Sequence, residues 1–498
     1  MAMGSQEQPQ LHFVLFPFMA QGHMIPMMDL ARLILAHRKN NHVTVVTTPR
    51  NAIRFASRFS RYTQEHGLRF RLVELQFPCN EAGLPDGCEN IDMLPSLDDA
   101  MTFFFATRSL RLPAERLFQE LTPPPSCIIA DMCLPYTIHI ANQFKIPRIS
   151  FIGVSCFYLL CKHNIKVFNA VESVANESEY FVVPGIPDRI EITVTQSEIS
   201  DSKEWKQFSE EIKEAEMESY GVMMNSFEEL EAAYARGYKE VRNNNKAWCI
   251  GPVSLSNQDH FDKAQRGNKN SSVYEWQHLI KWLDLRKPKS VVYVCFGSIC
   301  NLTSLQLIEI GLALEASNRP FIWVIREGTE LEALDKWIKE DGFEERTSKG
   351  RGGGLLIRGW APQLLILSHD AIGGFITHCG WNSTLEAICA GVPMATWPLF
   401  SDQFLNEKLI VQILGVGVET PNLVKKGSEK SGALLVKKED VEGAIEKLMG
   451  DSSESETRRK RVSELAQMAR KAVENGGSSH TNLASAIQDI MQEAKRSD

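Results

Sequence analysis

The 498-residue sequence has no apolar run long enough to cross a membrane. No stretch approaches the roughly 18 uninterrupted apolar residues typical of a transmembrane helix. The charged C-terminal stretch MQEAKRSD carries no anchor motif. Residues 12–20 match a signal peptide in length, but no cationic segment precedes them and Pro17 interrupts them. They therefore predict a first buried strand, and we expect no integral membrane association.

The sequence also lacks cysteines at the spacings typical of a metal site or of a disulfide-rich protein. The 11 cysteines are an odd number and form neither a C-x-x-C motif nor a Cys/His cluster. This pattern indicates buried or free thiols in a reducing compartment.

Basic residues are the minority among the charged ones. The sequence has 62 Asp and Glu against 54 Lys and Arg, a net charge of −8. That balance argues against a nucleic-acid or anionic-membrane surface. With 43% hydrophobic and 23% charged residues, the composition is typical of a globular protein with a large core. The length favours two α/β domains.

Several catalytic motifs are absent from the sequence. There is no D-x-D pair for a metal-bound diphosphate, no G-x-G-x-x-G after the first strand, no G-x-S-x-G elbow and no Walker A loop. These absences argue against a Rossmann dehydrogenase, an α/β-hydrolase and a P-loop enzyme.

What the sequence does contain is a repeated alternation of strand-like and helical patterns. The apolar run LHFVLFPF precedes a predicted helix at 24–36, and HVTVVTTP precedes one at 51–59. A second series begins at SVVYVCFGS, before a predicted helix at 304–316. The polar residues 257–276 between the two series predict a loop. The rhythm predicts a doubly wound α/β fold, twice over.

The segment of residues 360–403 indicates a nucleotide site. Its predicted strand at 371–377 leads into His378 and then Ser383-Thr384-Leu385-Glu386, a capping-box pattern at a helix start. Free amides and the positive dipole end at such a start favour phosphate. His378, Asn382 and Ser383 add hydrogen-bond donors at the same place.

Other residues of this segment suit the rest of a nucleotide-sugar. Trp360 offers a flat face for a base, and Glu386 is of the type that binds ribose hydroxyls. Asp402 and Gln403 follow the next predicted strand, 393–399, where open α/β sheets place ligand groups.

Two residues at predicted strand ends are candidates for acid–base chemistry. His23 follows the first strand and could take a proton from an attacking hydroxyl, or could cap the next helix. Asp131 ends the run CIIAD and could orient an imidazole, or could be a turn residue. Gly297 and Ser298 follow VVYVCF and could hold a diphosphate, or form an ordinary tight turn.

The segment 360–403 closely resembles, without a gap, the signature box of plant UDP-glycosyltransferases. Further landmarks of that family match FPFMAQGHMIPMMDLARL, IIADMCLPYT, MMNSFEELE and VVYVCFGSICNL. The resemblance implies a GT-B fold, in which two doubly wound Rossmann-like domains face a central cleft. It implies an acceptor-binding domain at 1–250, a linker and loop at 251–287, a UDP-sugar-binding domain at 288–475 and a terminal helix at 476–498 that packs back on the first domain.

The resemblance also implies roles for individual residues. His23 falls on the family's catalytic histidine, with Asp131 as its partner. The residues matched to UDP-sugar binding are Gly297, Ser298, Trp360, Ala361, Gln363, His378, Trp381, Asn382, Ser383, Glu386, Asp402 and Gln403. Glutamine at position 403, the last of the box, is associated with glucose donors, and histidine there with galactose.

The function implied is an inverting, metal-independent transfer of glucose from UDP-glucose, a co-substrate, to a hydroxyl, with no cofactor. The landmark VVPGIPDRIEIT resembles the subgroup that acts on triterpenoids, steroids, flavonoids and hormones. We expect a triterpenoid or steroid acceptor first and a flavonoid second. Phe18, Met19, Phe103, Phe104 and Phe157 are candidates for an acceptor lining, although isolated aromatics are commonly core residues.

Two alternatives stay open: a non-catalytic UDP-sugar-binding protein, or the same chemistry with another UDP-sugar. We expect a cytoplasmic monomer that binds small molecules and no nucleic acid. The compartment follows in part from Asn382-Ser383-Thr384, a glycosylation sequon inside the predicted phosphate site, where a glycan would obstruct binding.

Overall fold

A computed structural model gives the architecture of the protein. It describes residues 10–64, 67–197, 202–242, 246–266, 273–299, 302–326, 331–350, 353–421 and 435–497.

Two parallel sheets, one in each half of the chain, organise the described residues. The strands are β1 (His12–Phe16), β2 (His42–Thr47), β3 (Phe70–Glu74), β4 (Cys127–Asp131), β5 (Arg148–Ile152), β6 (Tyr180–Val182), β7 (Glu191–Thr193), β8 (Gly221–Met224), β9 (Ala247–Cys249), β10 (Val291–Cys295), β11 (Phe321–Ile325), β12 (Gly354–Arg358), β13 (Ile372–Thr377), β14 (Met394–Thr396) and β15 (Gly417–Glu419). The first sheet has the order β3-β2-β1-β4-β5-β8-β9 and the second β12-β11-β10-β13-β14-β15. Strands β6 and β7 form a separate antiparallel pair.

Helices connect these strands and cover both sheets. Those of the first half are α1 (Gln21–His37), α2 (Pro49–Gln64), α3 (Ala100–Ala106), α4 (Arg111–Glu120), α5 (Thr137–Phe144), α6 (Cys156–Val167), α7 (Lys203–Glu218) and α8 (Glu228–Val241). Those that follow are α9 (His260–Gln265), α10 (Val273–Asp284), α11 (Ser304–Ala316), α12 (Glu332–Glu340), α13 (Phe343–Lys349), α14 (Gln363–Leu367), α15 (Trp381–Ala390), α16 (Gln403–Lys408), α17 (Lys438–Met449), α18 (Ser453–Val473) and α19 (Ser478–Ser497).

The strand sequences explain why the sheets are parallel and buried. HFVLF in β1 is buried along its whole length, and so is FIWVI in β11. A strand that is apolar on both faces needs helices on both sides, which parallel βαβ connections provide. The doubly wound α/β fold is therefore confirmed in both halves.

Register places the loops that carry the candidate residues side by side. Phe16 of β1 pairs with Ala130 of β4, and Cys295 of β10 pairs with Thr377 of β13. In each sheet this is the point where the strand order reverses, and ligands of doubly wound folds bind beyond the carboxyl ends of such strands. Each sheet therefore delivers its candidate residues to one edge.

The predicted loop at 257–276 is wrong in part, because α9 and the start of α10 lie within it. Asp259 caps α9 by accepting a hydrogen bond of 2.7 Å from the amide of Asp262. Arg61 pairs with both aspartates, at 2.9 Å and 2.7 Å. These long-range contacts stabilise a polar helix that local composition does not reveal. Residues 267–272 of this stretch lie outside the described ranges.

The last helix, α19, packs on the first sheet. Leu483, Ala486, Ile487 and Ile490 are buried in one cluster with Phe13 of β1. The hydroxyl of Ser479 donates to the carbonyl of Gly251 near the start of the helix. In the part of the chain that the structure describes, no helix has both the length and the apolarity needed to cross a membrane.

Replacing Ile490 by alanine should destabilise the first half of the molecule. Its side chain is fully buried in the α19 contact, so the cavity should cost about 2–5 kcal/mol in the free energy of unfolding. Urea denaturation monitored by circular dichroism measures the loss as a lower midpoint. Ile53→Ala, at a position 50% exposed, is the matched control and should change stability by no more than about 0.5 kcal/mol. Equal effects of the two variants would show that the packing of α19 contributes nothing.

Candidate active site between the two halves

His23 and Asp131 form a hydrogen-bonded pair at the edge of the first sheet. His23 lies in the first turn of α1, and Asp131 is the last residue of β4. Nδ1 of His23 lies 2.8 Å from Oδ2 of Asp131. The carboxylate side chain is 1% exposed, whereas the imidazole is 30% exposed. Asp131 is also a turn residue, since its Oδ1 accepts from the amide of Cys133 at 2.9 Å.

The charges around His23 control its protonation. Burial alone would lower the pKa of the imidazole, but the Asp131 carboxylate outweighs burial and raises that pKa above its ordinary value, with Asp402 adding to the effect. In the neutral ring, the proton on Nδ1 faces Asp131 and the lone pair is on Nε2. The pair therefore has the arrangement of an oriented general base.

The same pair belongs to a group that could hold a metal ion. Among the described residues, His23, Asp131 and Cys133 offer ligand atoms that all lie within 4.8 Å of one another. A cation at this place would compete with the proton that joins His23 to Asp131. Proton transfer and metal binding are thus alternatives at this site.

The helix α15 begins at the edge of the second sheet with its first amides uncapped. It starts at Trp381 with Gly380 at the N-cap position, and no described side chain caps it. The predicted capping box is therefore wrong, because the extended backbone of Gly380 starts the helix before Ser383. The uncapped amides and the helix dipole are suited to an anion.

His378 lies next to this helix start in a space that only glycines leave open. A Cβ atom would lie 2.7 Å from its ring at Gly297, where φ is +81°, and 2.4 Å from it at Gly380. Nδ1 of His378 is buried without a hydrogen-bond partner among the described atoms, and burial lowers the pKa of the ring to about 4. A neutral imidazole with a buried, unpartnered nitrogen is suited to a ligand. Ser298 follows Gly297 at the same edge and is partly exposed.

Glu386 is paired inside the protein. Gln363 donates from Nε2 to Oε2 of Glu386 at 2.9 Å and to Oγ of Ser383 at 3.0 Å. Nη1 of Arg266 donates to the other carboxylate oxygen of Glu386. The residue expected to bind ribose is only 3% exposed. Arg266 was not among the residues singled out in the sequence.

Trp360 and Ala361 lie at the junction of the two halves. Trp360 is partly buried and packs against the apolar cluster that contains Ile25 of α1. Its indole nitrogen is buried without a partner among the described atoms. The carbonyl of Ala361 accepts from the amide of Gln363 at 2.8 Å, which forms the turn into α14.

Trp381 and Asn382 bond across the interface to the first half. Nε1 of Trp381 donates to the carbonyl of Asn225 at 2.8 Å, and the ring is 2% exposed. The indole N–H of Trp381 is therefore used in a contact within the protein. Nδ2 of Asn382 donates to the carbonyl of Gly22, next to His23. The starts of α1 and α15 therefore meet.

Asp402 and Gln403 are held in defined orientations. Oε1 of Gln403 accepts from the amides of Leu399 at 2.8 Å and Phe400 at 3.2 Å. Its side-chain amide nitrogen is thus the group left to donate to a ligand. Oδ2 of Asp402 accepts from Nδ2 of Asn406 at 2.7 Å.

Asn406 is a supporting residue that sequence reasoning missed. Nδ2 also donates to the carbonyl of Cys379 at 3.0 Å, and Oδ1 accepts from the hydroxyl of Ser155 in the first half at 2.9 Å. Cys379 has φ +66°, a backbone conformation that costs energy for a non-glycine residue. The available signal was the four-residue spacing from Asp402, which places both side chains on one helix face.

An aromatic cluster lies beside His23. Phe18 meets the His23 ring edge-on at 5.2 Å, stacks on Phe104 at 4.9 Å and meets Phe103 at 6.0 Å between ring centroids. Trp205 and Phe208 of α7 join it through Phe104, at 6.1 Å and 4.8 Å.

The remaining acceptor candidates differ in position. Met19 is 2% exposed and packs in the same cluster as Phe18. Phe157 packs instead against Tyr234 in a separate cluster, at 4.9 Å. Trp205 and Phe208 were missed, although their three-residue spacing on a charged helix was a signal for one aromatic face.

Comparison with known families agrees with this geometry. Residues 280–463 match the family described as "UDP-glucoronosyl and UDP-glucosyl transferase". Residues 10–255 match the family described as "Glycosyltransferase, N-terminal domain". Together the two matches cover most of the chain.

Individual relatives are similar over almost their full length. The chain is 51% identical to UDP-glycosyltransferase 73C6 of Arabidopsis thaliana, over 99% of each chain. The crystal structure of Glycyrrhiza uralensis UGT73P12 with glycyrrhetinic acid 3-O-monoglucuronide is 35% identical, with a TM-score of 0.89 and coverage of 98% of this chain and 97% of that one. Medicago truncatula UGT71G1 with UDP-glucose is 25% identical, with a TM-score of 0.74 and coverage of 97% and 98%. The GT-B fold is thereby confirmed, and the chain belongs to the plant UDP-glycosyltransferases, enzymes that transfer a sugar from a UDP-sugar donor.

Proposed function

We propose that the protein is an inverting, metal-independent O-glucosyltransferase that uses UDP-glucose. The observation that carries the proposal is the contact between Asn382 and the carbonyl of Gly22. It holds the uncapped start of α15, a phosphate site, against the start of α1, where Asp131 orients His23. A base and a leaving-group site then face one reacting centre.

The reaction follows from this placement. Nε2 of His23 takes the proton of an acceptor hydroxyl as its oxygen attacks the anomeric carbon. The bond from that carbon to the diphosphate oxygen breaks on the opposite side, and its electrons leave with UDP. Asp131 stabilises the imidazolium that forms. The α15 amides and His378 stabilise the charge on the diphosphate, and an α-linked donor gives a β-glycoside.

The donor contacts proposed for the other residues are of four kinds. Trp360 and Gln363 would contact the base, Glu386 is the ribose ligand, and Gly297 and Ser298 contact the diphosphate. Asp402 and the free amide of Gln403 contact the sugar. Support for glucose comes from glutamine at position 403 and from the UDP-glucose bound to the Medicago relative.

We propose a triterpenoid or steroid acceptor first and a flavonoid second. Glycyrrhetinic acid, whose monoglucuronide is bound to the Glycyrrhiza relative, is a triterpenoid. Within the cluster beside His23, Phe104 and Trp205 keep part of their surface exposed and would contact the acceptor, whereas Phe18 and Phe103 are buried beneath them. A flat, apolar acceptor suits such an aromatic surface.

The same proposal includes the compartment, the oligomeric state and the cofactor requirement of the enzyme. The enzyme acts as a cytoplasmic monomer and needs no cofactor beyond its co-substrate. The glucuronide bound to the Glycyrrhiza relative supports one specific alternative, transfer of glucuronate in place of glucose.

Replacing His23 by alanine should lower kcat by about 10² to 10⁴, because the acceptor hydroxyl loses its base. UDP release from UDP-glucose with a triterpenoid sapogenin measures the rate, and calorimetry with UDP should show that donor binding is retained. His139→Ala removes an exposed histidine of α5 and is the matched control. Equal rates for His23→Ala and the wild type would reject the base assignment.

Replacing Asp131 by asparagine should shift the pH profile and lower the rate. In the wild type the Asp131 carboxylate raises the pKa of His23, so the acid limb of kcat/KM should lie at a higher pH than it does without that charge. Without the carboxylate charge that pKa falls, so the limb should move to lower pH while kcat drops. Asp451→Asn, at an exposed position, is the control. An unchanged acid limb would contradict the coupling of the two residues.

A donor panel tests the sugar, the metal requirement and the stereochemistry together. UDP-glucose, UDP-galactose and UDP-glucuronate are each supplied with EDTA, and the products are examined by mass spectrometry and NMR. UDP-glucose should give the highest kcat/KM, EDTA should leave the rate unchanged, and the product should be a β-glycoside. A higher kcat/KM with UDP-galactose or UDP-glucuronate would reject glucose as the preferred sugar. A requirement for Mg²⁺ or Mn²⁺ would contradict metal independence, and an α-glycoside product would contradict inversion.

A further inference from the structure

A short segment between the two halves reaches into the proposed donor site. We call residues 257–266 the strap; it contains α9 and ends at Arg266. Its outer part is fixed to the first half, where Arg32 pairs with Asp262 at 2.5 Å and Arg61 with Asp259 at 2.9 Å. Helix α9 packs against α14, the helix that begins at Gln363.

Arg266 joins the two halves through buried charges. Its Nε donates to Oδ2 of Asp29 in α1 at 2.9 Å, and its Nη1 donates to Oε1 of Glu386 in α15. The side chains of Arg266, Asp29 and Glu386 are 7%, 0% and 4% exposed. Burial would lower the pKa of Arg266, but Glu386 and Asp29 outweigh it and raise that pKa above its ordinary value. The guanidinium is therefore a fixed positive charge at this place.

This contact conflicts with the role proposed for Glu386. A ribose needs access to the carboxylate with both of its vicinal hydroxyls, and a side chain that is 4% exposed offers no such surface. One oxygen already accepts from Gln363, and the guanidinium covers the other. Arg266, at the end of the strap, therefore blocks the access of a ribose to the Glu386 carboxylate.

We propose that Arg266 occupies the ribose position in the donor-free enzyme and that donor binding displaces it from Glu386. The inference rests on the proposed function, since it requires Glu386 to bind ribose. It adds Arg266 as a residue that sets donor affinity. The ion pair of Glu386 with Arg266 is replaced by hydrogen bonds from the neutral ribose hydroxyls to the same carboxylate, and the guanidinium leaves the pocket.

The geometry allows this exchange without leaving Asp29 unpaired. The guanidinium is rigid and planar, so it leaves Glu386 as one unit when the methylene torsions of Arg266 rotate. Asn257 also donates to Oδ1 of Asp29 at 2.9 Å, which keeps that carboxylate in place. The strap can therefore release Glu386 while it stays attached to the first half.

Hydrogen exchange of the wild-type protein tests the displacement directly. Mass spectrometry should show faster amide exchange in peptides within 257–266 at saturating UDP, because the end of the strap loses the contact of Arg266 with Glu386 in the second half. UDP binding is measured on the same sample by calorimetry. Slower or unchanged exchange at saturation would overturn the inference. Failure of UDP to bind at all would instead contradict the proposed donor site.

Arg266→Ala supplies an independent measurement with uridine as the probe. Uridine carries the ribose but no charge. A change in its Kd therefore reports that the guanidinium no longer blocks the ribose, and not that the charge of the pocket has changed. Its Kd should fall by about 3- to 10-fold, as expected if the open state is populated at about 10–30%. Lys263→Ala removes a cation from the same strap and should leave the Kd unchanged.

The two measurements together decide the inference whether or not the Arg266→Ala variant folds. If Arg266→Ala does not fold, exchange of the wild type decides alone. If the variant folds, a Kd for uridine equal to or above that of the wild type overturns the inference even when exchange rises.

Discussion

The hydrogen bonds that hold the start of α15 against the first half are the constraint on which the active site depends. Asn382 donates to Gly22 in the first turn of α1, and Trp381 donates to Asn225, which follows β8, so the start of α15 keeps one position against the first half. Without these bonds the base on one sheet and the anion site on the other would have no fixed distance. Asp402 is also supported from the opposite half, because Asn406, which donates to Asp402, accepts a hydrogen bond from Ser155. The donor site is thus a property of both halves together.

The fold could be predicted from the sequence because its strands are almost continuously apolar and its helices are amphipathic or bounded by turn residues. The helix predicted at 304–316 has the observed bounds, Ser304–Ala316. Elements that depend on distant partners could not be predicted. Helix α9 is polar, and the arginines that stabilise it lie about 200 residues earlier in the chain, as with Arg61 and Asp262. Local composition there indicates only a loop.

Site residues could be predicted where the topology and register of a sheet determine their position. Strand register brings the ends of β1 and β4 together, so His23 and Asp131 lie close once the topology is known. Hydrogen bonds that side chains make with each other do not follow from topology. The sequence therefore could not show that Trp381 bonds to the opposite half, or that Glu386 is already paired with Arg266. The resemblance to a family indicates which residue types occupy the positions of the site. It does not indicate which hydrogen-bond partners those side chains have before a ligand binds.

The packing of α19 on the first sheet has a consequence for synthesis of the protein. Strands β1 to β9 leave the ribosome long before residues 483–490, which complete the cluster around Phe13. During translation the nascent first domain therefore exposes an apolar surface until the last helix is made. Native contacts between the two ends of the chain are slow to form and leave intermediates prone to aggregation.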